Sequence, residues 1–229
     1  MIRSFEDFGR ELQACGFSMG GGNAKGIFAL IPFDWTNQEQ IDSPIRWHTG
    51  DPETDPWEWR MRVLEERTDV AYGKVFFKTS GFITREWYPY FYGARRKGES
   101  FKEAYVRGSL SHAAKRIYEV VAQGSVALHD LKRLGGFGQA EKAAFDRALV
   151  ELQMRLFITL CGRTQKLNRH GIGYGWNSTV LTTVEAFWEE RGVELPALEP
   201  EACYERIREQ VLHLNPEAEE KTLRKFILG

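Results

Sequence analysis

The sequence predicts an α+β fold that is mainly helical. Apolar side chains recur at every third or fourth position in most segments, which is the spacing of helices packed on a core. Shorter segments rich in β-branched and aromatic residues occur as neighbouring pairs, which indicates antiparallel hairpins. The 229 residues, of which 42% are hydrophobic and 28% charged, are enough for one large domain or two small ones.

The first elements lie around a glycine-rich segment. Phe5, Phe8 and Leu12 recur at helical spacing, and Gly16 ends the predicted helix. The following segment, "GGGNAKGIFALI", predicts a turn and then a short apolar strand. It does not match a phosphate-binding loop, because it lacks the Gly-Lys-Ser/Thr order and no helix follows it. Residues 34–51 are predicted to be irregular.

The segment "DPETDPWEWRMRVLEER" predicts the next helix. Asp55 stands at the N-cap position and Pro56 at the first helical position, and Glu58 completes the pattern of a capping box. These residues satisfy or remove the backbone amides that a helix start leaves without partners.

Two tryptophans in this helix are predicted to have different roles. At 100° per residue Trp57 shares a face with Met61 and Leu64, which we interpret as the core face. Trp59 points about 200° away from that face. We therefore expect Trp59 to close a seam between this part of the chain and the unit that follows, or to line a cleft.

A hairpin and a short helix follow. The segment "YGKVFFKTSGFIT" predicts two strands joined at Ser80–Gly81, and Thr84 is the predicted cap of a helix in "REWYPYFYGARRKG".

The middle of the chain has the element order of a winged helix. Three helices are predicted at 109–123, 128–134 and 139–153. They precede a strand ("RLFITLCGR"), a polar loop ("TQKLNRHGIG") and a second strand ("YGWNSTVL"). Helix, helix, helix, strand, wing and strand is the winged-helix order. A further helix is predicted at 183–191, and two short helices close the chain, the second capped by Asn215 with Pro216 as its first residue.

Charge is distributed unevenly along the chain. The net formal charge is −6 over residues 1–71, +10 over residues 72–176 and −5 over residues 177–229. A basic middle segment between acidic ends suggests a polyanionic partner. The alternative is that the acidic ends neutralise the basic segment within the molecule.

Several protein classes are not indicated. No apolar run approaches the ~20 residues of a membrane span, and the first residues lack the apolar centre of a secretory signal. Cys15, Cys161 and Cys203 are odd in number and near no histidine pair, so they predict neither a disulfide framework nor a zinc site. We expect a cytoplasmic protein with reduced thiols, no cofactor, no bound metal and no membrane partner.

From about Trp47 to Trp188 the sequence resembles the AlkZ-related family, distant relatives of the winged-helix DNA glycosylases that remove alkylated or crosslinked bases. The resemblance lies in "WHTGDPETDPWEWR", "VAYGKVFFKTSGFITREWYPYFYGARR", "LSHAAKRIY", "LVELQMRLFITLCG" and "GYGWNSTV". It implies tandem winged-helix units, ancestry in DNA binding and DNA as the partner. With the short C-terminal helical pair, it divides the chain into residues 1–105, 106–192 and 193–229.

The resemblance leaves open whether the protein is an enzyme. The glycosylases carry a Gln-x-Gln or Gln-x-Asp pair, and Gln40 and Asp42 in "QIDS" match that pattern. Such a pair would position a water molecule against the sugar carbon while positive charge builds on the ring. The surroundings depart from the family pattern, because "WTNQEQ" precedes the pair and Pro44 disfavours a helix at the residue before it. A solvated loop is therefore the competing interpretation of this segment.

Cationic and aromatic side chains supply the predicted nucleic-acid contacts. The third helix of the winged unit places Arg147 on the face opposite its apolar stripe, beside Val150 and Met154, which favours phosphate contact over base readout. The segment "YPYFYGARRKG" interleaves rings with cations, as in sites that stack an unpaired base. The predicted nucleic-acid-binding residues are Arg95, Arg96, Lys97, Lys142, Arg147, Arg163, Lys166 and Arg169, and the predicted cleft or stacking residues are Trp47, Trp59 and Tyr92.

Three functions are compatible with these features. The first is a noncatalytic protein that contacts the backbone of duplex or damaged DNA. The second is a DNA glycosylase that excises a damaged base with Gln40 and Asp42. The third is a protein-interaction module, with another protein or a second copy of the chain as its partner, which would require an exposed apolar third helix. His48 and His112 are interpreted as structural histidines.

Overall fold

The computed structural model describes residues 2–32, 43–167, 170 and 173–229. The chain forms two compact units, one made of residues 1–98 together with 196–229 and the other of residues 99–195. The division predicted from the sequence treats residues 193–229 as a separate extension. In the structure the helices of this segment pack on the helix at residues 88–96, and residues 196–229 belong to the first unit.

The first unit combines helices with a small sheet. The helices are α1 (Phe5–Cys15), α2 (Pro56–Glu66), α3 (Tyr88–Arg96), α9 (Pro200–Leu214) and α10 (Glu220–Leu228), and the strands are β1 (Phe17–Met19), β2 (Val70–Phe76) and β3 (Thr79–Thr84). The three strands are antiparallel in the order β1-β3-β2.

The apolar segment that follows the glycines forms no strand, so this part of the prediction was wrong. The strand precedes it, at β1, and pairs with β3. Residues 20–32 return along β1 through single hydrogen bonds, such as the one that the Met19 amide donates to the Phe28 carbonyl. Gly21, Gly22 and Gly26 have positive φ angles, in agreement with the turn predicted for the glycines.

The β2–β3 hairpin turns at Phe77–Lys78 and not at Ser80–Gly81. Both turn residues have positive φ angles, 50° and 62°, as a two-residue type I′ turn requires. Gly81 lies inside β3, where a Cβ atom would come within 2.3 Å of the Phe76 ring. Glycine at this position therefore makes room for an aromatic side chain and does not mark a turn. Thr84 ends β3 and is not the cap of α3, whose N-cap position is occupied by Trp87.

The predicted core position of Trp57 was wrong, and Trp59, which was predicted to close a seam or line a cleft, packs in the core of its own unit. Trp59 is 1% exposed and stacks on Phe8 with ring centroids 5.1 Å apart, whereas Trp57 is 42% exposed. The first turn of α2 leaves Trp57 at the surface, although Met61 on the same face is buried. The predicted start of this helix is confirmed, because the Asp55 carboxylate accepts a hydrogen bond from the Trp57 amide.

An aromatic cluster forms the centre of the first unit. Phe226 of α10 lies 4.1 Å from the Phe76 ring in a stacked arrangement and also contacts Phe17 and Phe91. The predicted Asn215 cap was wrong, because Asn215 ends α9 and α10 begins only at Glu220. The Asn215 side-chain amide instead donates to the carbonyls of Gly26 and Ile27.

The second unit contains three helices that match the predicted ones in order and approximate position. The elements of this unit are α4 (Phe101–Val106), α5 (His112–Val121), β4 (Val126–Ala127), α6 (Leu128–Leu134), α7 (Lys142–Met154), β5 (Ile158–Leu167), β6 (Gly173–Thr183) and α8 (Val184–Glu189). Its sheet is antiparallel in the order β4-β6-β5. Buried side chains from α5, α6, α7 and β5 share one core, among them Ile117, Leu131, Leu152 and Ile158.

Within the described residues, none of the helices combines the length and the apolar composition that a membrane crossing requires.

Candidate nucleic-acid interface

The turn between α6 and α7 is fixed by one arginine of α5. The Arg116 guanidinium donates to the carbonyls of Gly135 and Gly136 at 3.0 and 2.6 Å and lies 3.9 Å above the centroid of the Phe137 ring. It also forms an ion pair with Glu141 at 2.5 Å. This one side chain therefore sets the direction in which α7 leaves the turn.

Glu141 completes the turn from the other side. Its carboxylate also accepts a hydrogen bond from the Gly138 amide at 2.9 Å. The Arg116 guanidinium and the Gly138 amide together hold the pKa of the Glu141 carboxyl below its usual value. The carboxylate is thus charged at neutral pH, and the start of α7 keeps both hydrogen bonds.

A second clamp joins α5 to the middle of α7. The Glu151 carboxylate accepts hydrogen bonds from the Ser111 amide and hydroxyl at 3.1 and 2.7 Å, while the same hydroxyl caps α5. Polar contacts therefore tie α7 to α5 at two places, in addition to the apolar core.

The outer face of α7 carries two cations without ion pairs among the described residues. Lys142 and Arg147 are exposed, as are Ala143 and Asp146 between them. Since Glu141 is already paired with Arg116, Asp146 is the acidic residue left on this exposed stretch. The face is small, polar and partly cationic, as a phosphate-contacting surface would be.

The apolar surface required for an interaction module does not form on α7. Val150 is half-buried and Met154 is buried, so the helix presents no apolar stripe to solvent. Exposed large apolar side chains in this unit lie elsewhere, at Val106 and Leu134.

The β5–β6 hairpin contributes further predicted residues. Lys166 is exposed and lies opposite Tyr174 in the ladder, whereas Arg163 is half-buried and lies opposite Thr179. Arg169 lies outside the described residues.

The arginine-rich end of α3 is not a free cationic surface, which corrects the prediction for Arg95 and Arg96. The Arg95 guanidinium is buried and donates to the carbonyls of Val75, Phe226 and Ile227 at 2.7–2.8 Å. Burial lowers the pKa of Arg95 to about 9, which leaves the cation charged at pH 7. Arg96 is also buried, with its guanidinium 4.9 Å from the centroid of the Tyr92 ring. Lys97, by contrast, is exposed.

The predicted stacking residues do not form an open cleft. Trp59 is enclosed by Phe5 and Phe8 of its own unit, and its indole N–H donates to the Pro52 carbonyl at 3.0 Å. Trp47 is half-buried, with its ring so close to Gly21 that a Cβ atom there would lie 2.5 Å away. Tyr92 is half-buried beneath Arg96.

Gln40 and Asp42, the predicted catalytic pair, lie outside the described residues. Burial raises the pKa of each cysteine thiol: to about 12 for Cys15, and above the usual value for Cys161 and Cys203. Raised thiol pKa values oppose thiolate chemistry at neutral pH.

An exposed aromatic cluster in the first unit was not predicted from the sequence. The Trp57 ring lies 3.5 Å from the Arg60 guanidinium and 4.8 Å from the His48 ring. The available signal was the i,i+3 spacing of Trp57 and Arg60 on one helix. Assigning Trp57 to the core concealed that signal.

Folding also redistributes the basic middle of the sequence. Residues 99–195 carry 13 basic and 11 acidic side chains, a net charge of +2, and the first unit has a net charge of −3. The +10 segment is therefore divided between the units, and two of its arginines are buried. Binding of a polyanion would thus depend on local groups of cations and not on the charge of a whole unit.

Comparison with known proteins gives one family. The model of the family described as AlkZ related matches residues 2–228. No curated protein matches the sequence. Among solved structures, a DNA glycosylase AlkZ from Streptomyces sahachiroi is similar at 11% identity and a TM-score of 0.43, over 76% of this chain and 50% of that chain. The chain thus spans about half the length of that glycosylase.

Proposed function

Because the chain belongs to the AlkZ-related family, we propose that it is a noncatalytic DNA-binding protein of DNA repair. In this proposal the second unit is a winged helix that contacts the phosphate backbone of duplex or damaged DNA. The cations of α7 and the β5–β6 hairpin, Lys142, Arg147 and Lys166, make the contacts.

The topology of the second unit supports this proposal. Helix α5, strand β4, helices α6 and α7 and the hairpin of β5 and β6 follow one another, with β6 between the other two strands. This is a three-helix unit with a turn between the last two helices and a hairpin after them, as in helix-turn-helix proteins with a wing.

The exposed cations of α7 are the observation that carries the proposal. A recognition helix that reads base edges would present several Arg, Asn, Gln or Lys side chains along its outer face. Here the exposed stretch offers Lys142 and Arg147, with Ala143 and Asp146 between them. Contacts with phosphates position a protein on DNA without specifying a sequence, and we expect this mode.

Fluorescence anisotropy with a labelled 20-base-pair duplex would test the proposal at 50 and 200 mM salt. Three phosphate contacts predict a loss of roughly 40-fold in affinity between these concentrations. The double variant Lys142→Glu/Arg147→Glu should bind at least about tenfold more weakly at 50 mM salt. It should also reduce the salt slope, which is the steepness with which log affinity falls against log salt concentration, by about 2. Lys221→Glu, which reverses an exposed cation of α10 near its N-terminal end, is the matched control and should leave binding unchanged.

Two results would contradict the proposal. Wild-type protein that fails to bind the duplex at 50 mM salt would exclude DNA binding through phosphates. Release of a damaged base from a lesion-containing duplex, lost in Gln40→Ala and Asp42→Ala, would establish the glycosylase alternative and exclude a noncatalytic role.

A further inference from the structure

The two tryptophans of α2 differ in what their rings contact. The ring of Trp59 stacks on Phe8, and its indole N–H donates to a backbone carbonyl, so its bonding capacity is used within the core. Trp57 leaves 42% of its surface exposed. A tryptophan normally buries a large apolar area, so the exposed part of the Trp57 side chain is apolar surface that a ligand could cover.

Arg60 supplies a cation at the same place. Its guanidinium lies 3.5 Å from the centroid of the Trp57 ring, and its Nε donates to the Trp57 carbonyl at 2.7 Å. Within the described part of the chain it has no carboxylate partner. Arg62, two residues later, is paired with Glu66 and Glu53. Arg60 therefore keeps N–H groups that can donate hydrogen bonds to an incoming anion. Those of Arg62 already donate to Glu53 and Glu66.

A buried carboxylate holds the third member of the cluster in place. Asp55 is 0% exposed and accepts hydrogen bonds from the amides of His48, Gly50 and Trp57 at 3.0, 2.9 and 2.8 Å. His48 has a φ angle of 61°, a backbone conformation that residues other than glycine rarely adopt. The loop thus fixes the His48 ring 4.8 Å from the Trp57 ring at the start of the helix.

The Arg60 guanidinium covers one face of the Trp57 ring and keeps spare donors. An exposed aromatic ring combined with such a cation is an arrangement that stacks an unpaired base and neutralises its phosphate. We propose that Trp57, Arg60 and His48 form a platform for an unpaired nucleobase of DNA, either in a single strand or turned out of a duplex. This inference rests on the proposed function and adds a ligand class to it. An intact base pair offers no free face, so the platform selects DNA whose stacking is already broken.

Binding of a fluorescein-labelled 12-nucleotide oligothymidine, measured beside the 20-base-pair duplex, would test the platform. Stacking on an aromatic side chain contributes about 1–3 kcal/mol per base, so Trp57→Ala should weaken oligonucleotide binding by about fivefold or more. Trp57→Phe, which keeps a ring, should retain most of the affinity. Arg60→Ala should weaken binding several-fold and reduce the salt slope by about 0.7.

The controls separate the platform from the rest of the molecule. Val106→Ala shortens a side chain that is 78% exposed in the second unit and should not alter oligonucleotide binding. Arg62→Ala removes a cation that is already paired and should leave the salt slope unchanged. Duplex binding by Trp57→Ala should stay within about twofold of wild type, with urea denaturation to show that the variant is folded.

Different outcomes exclude different claims. Unchanged oligonucleotide affinity in folded Trp57→Ala, with duplex binding intact, would exclude the platform and leave the proposed function standing. If Trp57→Ala does not fold, equal binding by Arg60→Ala and wild type would exclude the platform instead. If wild-type protein binds neither the oligothymidine nor the duplex at 50 mM salt, both the platform and the proposed function are excluded.

Discussion

At the scale of single residues, the hairpin turn at Phe77–Lys78 stores backbone strain. Both residues occupy the left-handed region without being glycine, which costs about 1 kcal/mol or more per residue. Type I′ turns of this kind usually contain Asn-Gly.

We therefore expect Lys78→Gly to raise the free energy of unfolding by about 0.5 kcal/mol, because glycine adopts a φ of 62° without steric cost. Urea denaturation would measure the change. The matched control is Lys225→Gly, an exposed position inside α10, where the same substitution should lower stability by about 0.5–1 kcal/mol. Equal effects of the two substitutions would show that the turn is not strained.

Individual residues also limited what could be predicted from the sequence. The start of α2 was predictable because Asp55 and Pro56 act locally on the backbone. The environments of Trp57 and Trp59 were not, because they depend on where Phe5 and Phe8 of another helix cover α2. The burial of Arg95 depends on carbonyls more than 130 positions away in α10, so the run "GARRKG" could not reveal it.

At the scale of elements, the α6–α7 turn depends on the ion pair between Arg116 and Glu141. The lowered pKa of Glu141 means that the folded state binds this proton less tightly than the unfolded state. The stabilisation is therefore complete above the unfolded pKa of about 4.3 and disappears as the pH falls through the lower folded value.

Glu141→Gln should accordingly reduce the free energy of unfolding at pH 7, and its difference from wild type should shrink as the pH falls below about 4. Urea denaturation at pH 7 and pH 3 would show this. Glu119→Gln, which breaks an exposed pair with Lys115 on α5, should change the free energy of unfolding far less than Glu141→Gln does at pH 7. A pH-independent loss in Glu141→Gln would assign the effect to side-chain packing and not to charge.

The helices of the second unit were predictable because each carries its own local signals, such as the apolar spacing in α7 and the glycines after α6. The strands of the first unit were less predictable from the sequence. Strand β1 has three residues and exists because β3 pairs with it, while the longer apolar segment after it forms a loop. Pairing between distant segments therefore decided this sheet.

At the scale of the whole molecule, the first unit is made from both ends of the chain. Phe226 is fully buried among rings from β1, β2 and α3, and its carbonyl accepts a hydrogen bond from Arg95. Residues 1–98 and 196–229 should therefore gain and lose structure together.

Phe226→Ala should lower the free energy of unfolding of the first unit by about 3–5 kcal/mol, because it leaves a cavity in the core. Hydrogen exchange would show the loss of protection in residues 1–98 and in α9 and α10 at once. Ile117→Ala, in the core of the second unit, should instead act on residues 99–195. Loss of protection confined to α10 would show that the C-terminal segment is not part of the first unit's core.

The cysteines offer a practical route to measurements in solution. Cys15 and Cys203 are buried, and Cys161 is partly exposed with a raised pKa. A Cys161→Ser variant would leave two shielded thiols, so a cysteine introduced at the exposed Asn177 of β6 would be the preferred target of a maleimide dye. Paired with labelled DNA, such a dye would report by energy transfer how far the hairpin lies from each end of the duplex.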